Sequence, residues 1–65
     1  MENITRNFIG AKEKGLEVFY NDTTGDYVIE YNDDIATTFY DELNEEGNAS
    51  NGVAVKAVQR FIDEF

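Results

Sequence analysis

Apolar and polar positions alternate in two short runs of the first half of the chain. The runs are residues 16–20 (LEVFY) and 27–31 (YVIEY), and both are rich in aromatic and β-branched side chains, which favour strands. Between them lies the turn cluster NDTTGD, in which Gly25 can adopt a positive φ. The pattern therefore predicts an antiparallel β-hairpin.

The alternation also predicts the register of this hairpin. If Tyr20 pairs with Tyr27, three residues of each strand share one face, which then belongs to the core. That face comprises Leu16, Val18, Tyr20, Tyr27, Ile29 and Tyr31. The same register puts Glu17 opposite Glu30 on the outer face, where two like charges repel each other. We therefore expect either a different register or a further use for the outer face.

Apolar residues at helical spacing predict a short helix near the N-terminus. Residues 3–14 contain this spacing, and Lys12 and Lys14 fall in the last turn, where the helix dipole favours cations. Gly15 follows as a C-terminal cap.

Two further helices are predicted in the second half of the chain. Residues 35–46 have an apolar side chain at every fourth position, after a run of Asn and Asp that can cap a helix. The apolar residues are Ile35, Phe39 and Leu43, and the capping residues are Asn32, Asp33 and Asp34. Residues 53–65 have the clearest helical periodicity of the chain. We predict a single α+β domain, residues 1–65, in which the two C-terminal helices pack on the hairpin.

Composition limits the possible chemistry. The chain has 65 residues, 42% of them hydrophobic, and neither Cys nor His. Thiolate and imidazole metal ligands are therefore absent, as is a His base that could activate a nucleophile. We expect no metal, no cofactor and no enzymatic activity. Because no apolar run resembles a signal peptide or approaches the ~20 residues that cross a bilayer, we expect a cytoplasmic protein that does not bind membranes.

Negative charge is concentrated in the middle of the chain. The net charge is -9, and residues 15–55 contain no Lys or Arg. In the predicted helix 35–46, carboxylates occupy like-charge i, i+4 positions at the C-terminal end, where the helix dipole favours cations instead. These carboxylates are Asp41, Glu42, Glu45 and Glu46. Local electrostatics would not select this arrangement, so we expect a basic partner.

The candidate partner-binding residues are carboxylates of this region. They are Asp22, Asp26, Glu30, Asp33, Asp34, Asp41, Glu42, Glu45 and Glu46. A row of carboxylates on one face resembles the phosphates of duplex DNA, and it would fit the basic groove of a nucleic-acid-binding protein. So acidic a chain is not expected to bind nucleic acid directly. The simpler interpretation is a solvated surface that improves solubility.

The segment DELNEE (41–46), the segment LEVFYNDTTGDYVIEY (16–31) and the overall charge resemble those of small phage anti-CRISPR proteins that mimic DNA. This resemblance lies in size, acidity and layout. It implies an inhibitor, a monomer or small homo-oligomer, that occupies the DNA- or PAM-binding cleft of a Cas effector and blocks target DNA. Two alternatives remain open. One is mimicry directed at a restriction enzyme, glycosylase or nucleoid protein, and the other is an acidic interaction module that pairs through Phe19, Val28 or Phe65.

Overall fold

A four-stranded antiparallel sheet with one helix packed on it makes up the described part of the chain. The computed structural model describes residues 1–40 and 52–65. In chain order the elements are β1 (Glu2–Asn3), a 3-10 turn (Thr5–Asn7), β2 (Leu16–Asn21), β3 (Asp26–Tyr31), β4 (Asp34–Tyr40) and α1 (Val53–Glu64). The strand order in the sheet is β1-β2-β3-β4. The fold is α+β as predicted, but its layout differs from the predicted hairpin with two C-terminal helices.

The β2–β3 hairpin has the predicted register. Tyr20 pairs with Tyr27, so the six residues of the predicted core face lie on the side that α1 covers, which we call the inner face. Leu16, Val18 and Ile29 are completely or almost completely buried there. The alternation of the sequence was therefore sufficient to identify the core side of this hairpin.

Residues Asp34–Tyr40 form strand β4, so the predicted helix over about 35–46 is wrong as far as Tyr40. The rest of that prediction, residues 41–46, lies outside the described residues. The chain reverses at Asn32 and Asp33, whose φ values are 52° and 66°. Two consecutive positive φ values are the signature of a type I′ hairpin turn, which Asn and Asp tolerate better than other non-glycine residues. The run that we interpreted as a helix cap is a hairpin turn.

A β-bulge in β4 separates the two apolar residues whose spacing predicted a helix. Thr37 pairs with Ile29 and Ile35 pairs with Glu30, so Ala36 is the extra residue of the bulge. The bulge places Ile35 on the outer face, whereas Phe39 lies on the inner face opposite Tyr27. The i, i+4 spacing of these two residues therefore does not mark one face of a helix. The β-branched and aromatic composition of the segment favours the strand.

The predicted helix over residues 3–14 is also wrong. Only the single 3-10 turn Thr5–Asn7 forms, and Gly10 has a φ of 86°, which interrupts any right-handed helix. Phe8 and Ala11 are nevertheless buried in the core cluster. An irregular segment, and not a helix, brings them there.

Helix α1 confirms the prediction for residues 53–65 except at its last residue. It buries Ala54, Val58 and Ile62, one residue per turn. At its C-terminal end Lys14 Nζ donates a hydrogen bond to the backbone oxygen of Ile62 at 2.6 Å. A cation at this end is favourable, because helix C-termini carry partial negative charge. Lys14 therefore stabilises α1 rather than the predicted first helix.

Candidate protein interface

The outer face of the sheet, opposite α1, is electronegative. On β2, β3 and β4 its side chains form three rows across the strands. The rows are Glu17–Glu30–Ile35, Phe19–Val28–Thr38 and Asn21–Asp26–Tyr40. Because none of these three strands contains Lys or Arg, every charged side chain they contribute to this face is a carboxylate.

The middle of the outer face is apolar. Val28 is only 9% exposed although it points away from α1, and Phe19 beside it is half-buried. On β4, Ile35 and Tyr40 are 67% and 64% exposed. An apolar centre between charged rows is the usual composition of a protein–protein interface.

The row at one end of the outer face contains the predicted pair of like charges. Glu17 lies directly opposite Glu30, as the register required. The Cβ atoms of such a pair are about 5 Å apart, so the carboxylates repel each other. Lys12 lines the same shallow groove of about 590 Å³ as these two residues and Asp33, so a cation stands at the margin of the acidic row.

The structure separates the described candidate carboxylates into two groups. Asp22 and Asp26 lie at the β2–β3 turn, where Asp26 Oδ2 accepts a hydrogen bond from Thr24 Oγ1 at 2.9 Å. Glu30 and Asp33 lie at the other end of β3, about 13 Å away at the rise of a strand. They therefore do not form a single continuous row.

The remaining candidates have other positions. Asp34 begins β4 opposite Tyr31 and is exposed. The four C-terminal candidates, Asp41, Glu42, Glu45 and Glu46, lie outside the described residues. We expected these four carboxylates at the C-terminal end of a helix, where the dipole disfavours them. The residues that lead into them form a strand, so this expectation has lost its basis.

The sides of β2 and β4 that face away from β3, which we call the β2 edge and the β4 edge, differ in how their backbone groups are satisfied. At the β2 edge, the N–H of Val18 donates to Thr5 Oγ1 at 2.9 Å, and its carbonyl accepts from the N–H of Ile4 at 2.8 Å. The N–H of Leu16 donates to the carbonyl of Ala11 at 2.9 Å. Strand β1 pairs with Phe19 and Tyr20 of β2. The β2 edge is therefore covered from Leu16 to Tyr20.

The β4 edge is open in the part of the chain that the structure describes, where no strand or backbone group pairs with its outer side. Strand β4 has seven residues and contains neither Lys nor Pro, the residues that commonly protect such edges. Its pairing with β3 is regular over Thr37–Tyr40, beyond the bulge. Sequence reasoning missed this edge, although the Asn32–Asp33 turn signal could have revealed the strand.

A groove of about 710 Å³ lies between β4 and α1. Its lining includes Phe39, Val53, Phe61, Lys56, Arg60 and Glu64. Phe39 and Phe61 contact each other edge to face, with ring centroids 6.2 Å apart. The groove combines an aromatic floor with two cations, whereas the outer face combines an apolar centre with carboxylates.

Neither surface resembles a metal site or a membrane span. Among residues 1–40 and 52–65, no three His, Cys, Asp or Glu side chains are grouped so as to hold a metal ion. The helix within these ranges is too short and too polar to cross a membrane.

Comparison with known proteins gives no match: no family model, no curated protein and no solved structure is similar to this chain.

Proposed function

We propose that this protein is an inhibitor that acts by binding, and that its outer face occupies the DNA-binding surface of a basic protein. The observation that supports this most is the one-sign charge of β2, β3 and β4. Surfaces that hold DNA phosphates are rich in Lys and Arg, and strands whose charged side chains are all carboxylates are complementary to them.

The Glu17–Glu30 pair gives this proposal a physical mechanism. In the free protein the two carboxylates repel each other, which costs a few tenths of a kcal/mol or more. An arginine of the partner that reaches both would remove this repulsion and form charge-assisted hydrogen bonds. Binding therefore relieves an unfavourable interaction of the free fold.

The apolar centre supports the same proposal. Phe19 and Val28 can contact the partner between the two acidic groups and exclude water there. Charge pairs around a dry centre interact more strongly than charge pairs in bulk water. Apolar contacts at the centre would contribute binding affinity, and the carboxylates would make binding selective for a basic target.

The specific target that we propose is the DNA- or PAM-binding cleft of a Cas effector, which would make the protein an anti-CRISPR protein. This choice comes from the resemblance in size and acidity. Restriction enzymes, glycosylases and nucleoid proteins hold phosphates through the same chemistry and are the alternative targets.

The experiment compares two variants with the same net charge. One carries Glu17→Lys and Glu30→Lys on the outer face, and the control carries Glu13→Lys and Glu64→Lys outside it. Each is titrated into purified effector, and the binding of labelled target DNA is followed by fluorescence anisotropy. We expect the outer-face variant to inhibit at least about tenfold less well, a loss of about 1.4 kcal/mol, and the control to inhibit nearly as well as the parent chain. Equal losses would support the solubility interpretation instead.

A second candidate function is an interaction module that pairs mainly through apolar contacts. It is favoured by the exposure of Ile35 and Tyr40, which extend the apolar centre towards β4. Salt distinguishes the two functions. At 1 M salt the Debye length is about 3 Å, so a complex held by charge should dissociate, whereas an apolar complex should persist.

A further inference from the structure

We propose that the open edge of β4 accepts an extended segment of a partner protein as an additional strand. A bulky apolar side chain of that segment occupies the groove between β4 and α1, and a carboxylate of the segment lies beside Lys56 and Arg60. This surface is distinct from the outer face, and the inference does not depend on the proposed function.

The backbone of β4 supplies the first part of the argument. Over Thr37–Tyr40 its pairing with β3 is regular, and no backbone group of the described residues pairs with its other side. Such a strand offers alternate N–H and C=O groups over about 10 Å, which an extended peptide can pair with. The bulge at Ala36 limits the pairing to this run.

The groove lies where a side chain of an added strand can reach it. Phe39 lies within the regular run of β4 and faces the inner side of the sheet. Among residues 1–40 and 52–65, Phe39 is the residue of the sheet that lines the groove, and the other lining residues belong to α1. Every second side chain of an added strand would project to the same side as Phe39. One of these side chains would therefore reach the half-buried rings of Phe39 and Phe61.

Charge supplies the third part and determines the chemistry of the partner. Lys56 and Arg60 are exposed and lie one turn apart on α1, where like charges at i, i+4 are unfavourable. Glu64 follows at the next turn and lines the end of the groove beside Arg60. Lys56 is farther from Glu64 along the helix than Arg60 is. A carboxylate of the incoming strand would therefore complement the charge of Lys56.

A second copy of the chain is a poor occupant for this edge. Each copy has a net charge of -9, and charge of one sign on both partners opposes association. A short acidic and apolar segment of another protein brings the required carboxylate with far less total repulsion.

The test begins with a displayed library of linear peptides of about eight residues, selected against the full chain. We expect the enriched sequences to contain a bulky apolar residue two positions from Asp or Glu. A synthetic consensus peptide is then titrated by fluorescence anisotropy. The double variant Lys56→Glu with Arg60→Glu should bind about tenfold or more weakly, whereas the control Arg6→Glu with Lys12→Glu should bind nearly as well as the parent chain. Thermal unfolding followed by circular dichroism verifies that both variants are folded.

Backbone methylation of the peptide tests strand pairing directly. N-methylation at successive positions should weaken binding about tenfold at alternate residues, those whose N–H groups face β4, and little at the others. The proposal is overturned if no sequence is enriched or if the methylated positions show no alternation. It is also overturned if charge reversal at the groove leaves the affinity unchanged, or if sedimentation shows that the chain alone dimerises through β4.

Discussion

Strands β2 and β4 flank β3 and have similar sequences, yet only β2 is covered on its other side. Strands β2 (LEVFYN) and β4 (DIATTFY) are both rich in aromatic and β-branched residues. The N-terminal segment satisfies the backbone of β2, whereas the outer side of β4 has no backbone partner in the described residues. The composition of a strand therefore does not determine whether it is available to a partner.

The cover over β2 also shows that regular structure is not needed to protect an edge. Gln59 on α1 holds the N-terminal segment with two hydrogen bonds to the backbone of Ile9, one accepted by Oε1 at 3.0 Å and one donated by Nε2 at 2.9 Å. Lys14 adds its bond to the end of α1. The helix thus holds the segment that covers β2, and on its other side it forms the groove beside β4.

The largest predicted difference between the edges concerns side-chain burial. Leu16 at the covered edge is 1% exposed, and Leu16→Ala should reduce the free energy of unfolding by about 2–5 kcal/mol because a cavity replaces buried apolar volume. Ile35 at the open edge is 67% exposed, and Ile35→Ala should cost less than about 1 kcal/mol. Urea unfolding measures both values. Similar losses for the two variants would show that Ile35 is covered in solution.

An intermediate effect is expected from the hydroxyl that satisfies the β2 backbone. Thr5→Val keeps the shape of the side chain but removes the acceptor for the N–H of Val18, which should cost about 1–3 kcal/mol. The matched change at the open edge, Thr38→Val, removes an exposed hydroxyl and should be nearly neutral. Amide exchange gives an independent measurement, since the Val18 amide should exchange faster only in the Thr5→Val variant. An unchanged rate would contradict the role given to Thr5.

The smallest predicted effect is on the outer face between the edges. Glu17→Lys replaces a like-charge pair with an opposite-charge pair, and it should stabilise the free protein by about 0.2–1 kcal/mol at low salt. The gain should shrink at 1 M salt because the interaction is exposed. Denaturation at two salt concentrations measures it, with Glu13→Lys as a control for net charge. A salt-independent gain would indicate a cause other than the Glu17–Glu30 repulsion.

How well the sequence predicted each element depended on how local its determinants were. The β2–β3 hairpin and α1 follow from uninterrupted periodicities of two and 3.6 residues, and both were identified correctly. In β4 the bulge at Ala36 breaks the alternation, so Ile35 and Phe39 lie on opposite faces and their i, i+4 spacing was misread as a helix. In the N-terminal segment, Phe8 and Ala11 are buried through turns and a left-handed glycine, for which no periodic pattern exists.

The sequence predicted the candidate interface only in the part that the β2–β3 hairpin forms. The register placed Glu17 opposite Glu30, so part of the acidic outer face was evident from the sequence. The separation of the other carboxylates depends on the Asn32–Asp33 turn, which puts Asp33 at the far end of β3 from Asp26. The open edge was not predictable, because it depends on the order of all four strands.

The absence of cations from three neighbouring strands has a consequence for motion. All five Lys and Arg lie in the N-terminal segment or on α1, and strands β2, β3 and β4 have none. These strands therefore attract a positively charged surface more strongly than the N-terminal segment or α1 does. Near a strongly basic body the molecule experiences a torque as well as an attractive force, so it rotates until the strands face that body. The molecule is therefore oriented before it contacts the basic body. The distance over which this occurs is limited by screening from dissolved ions.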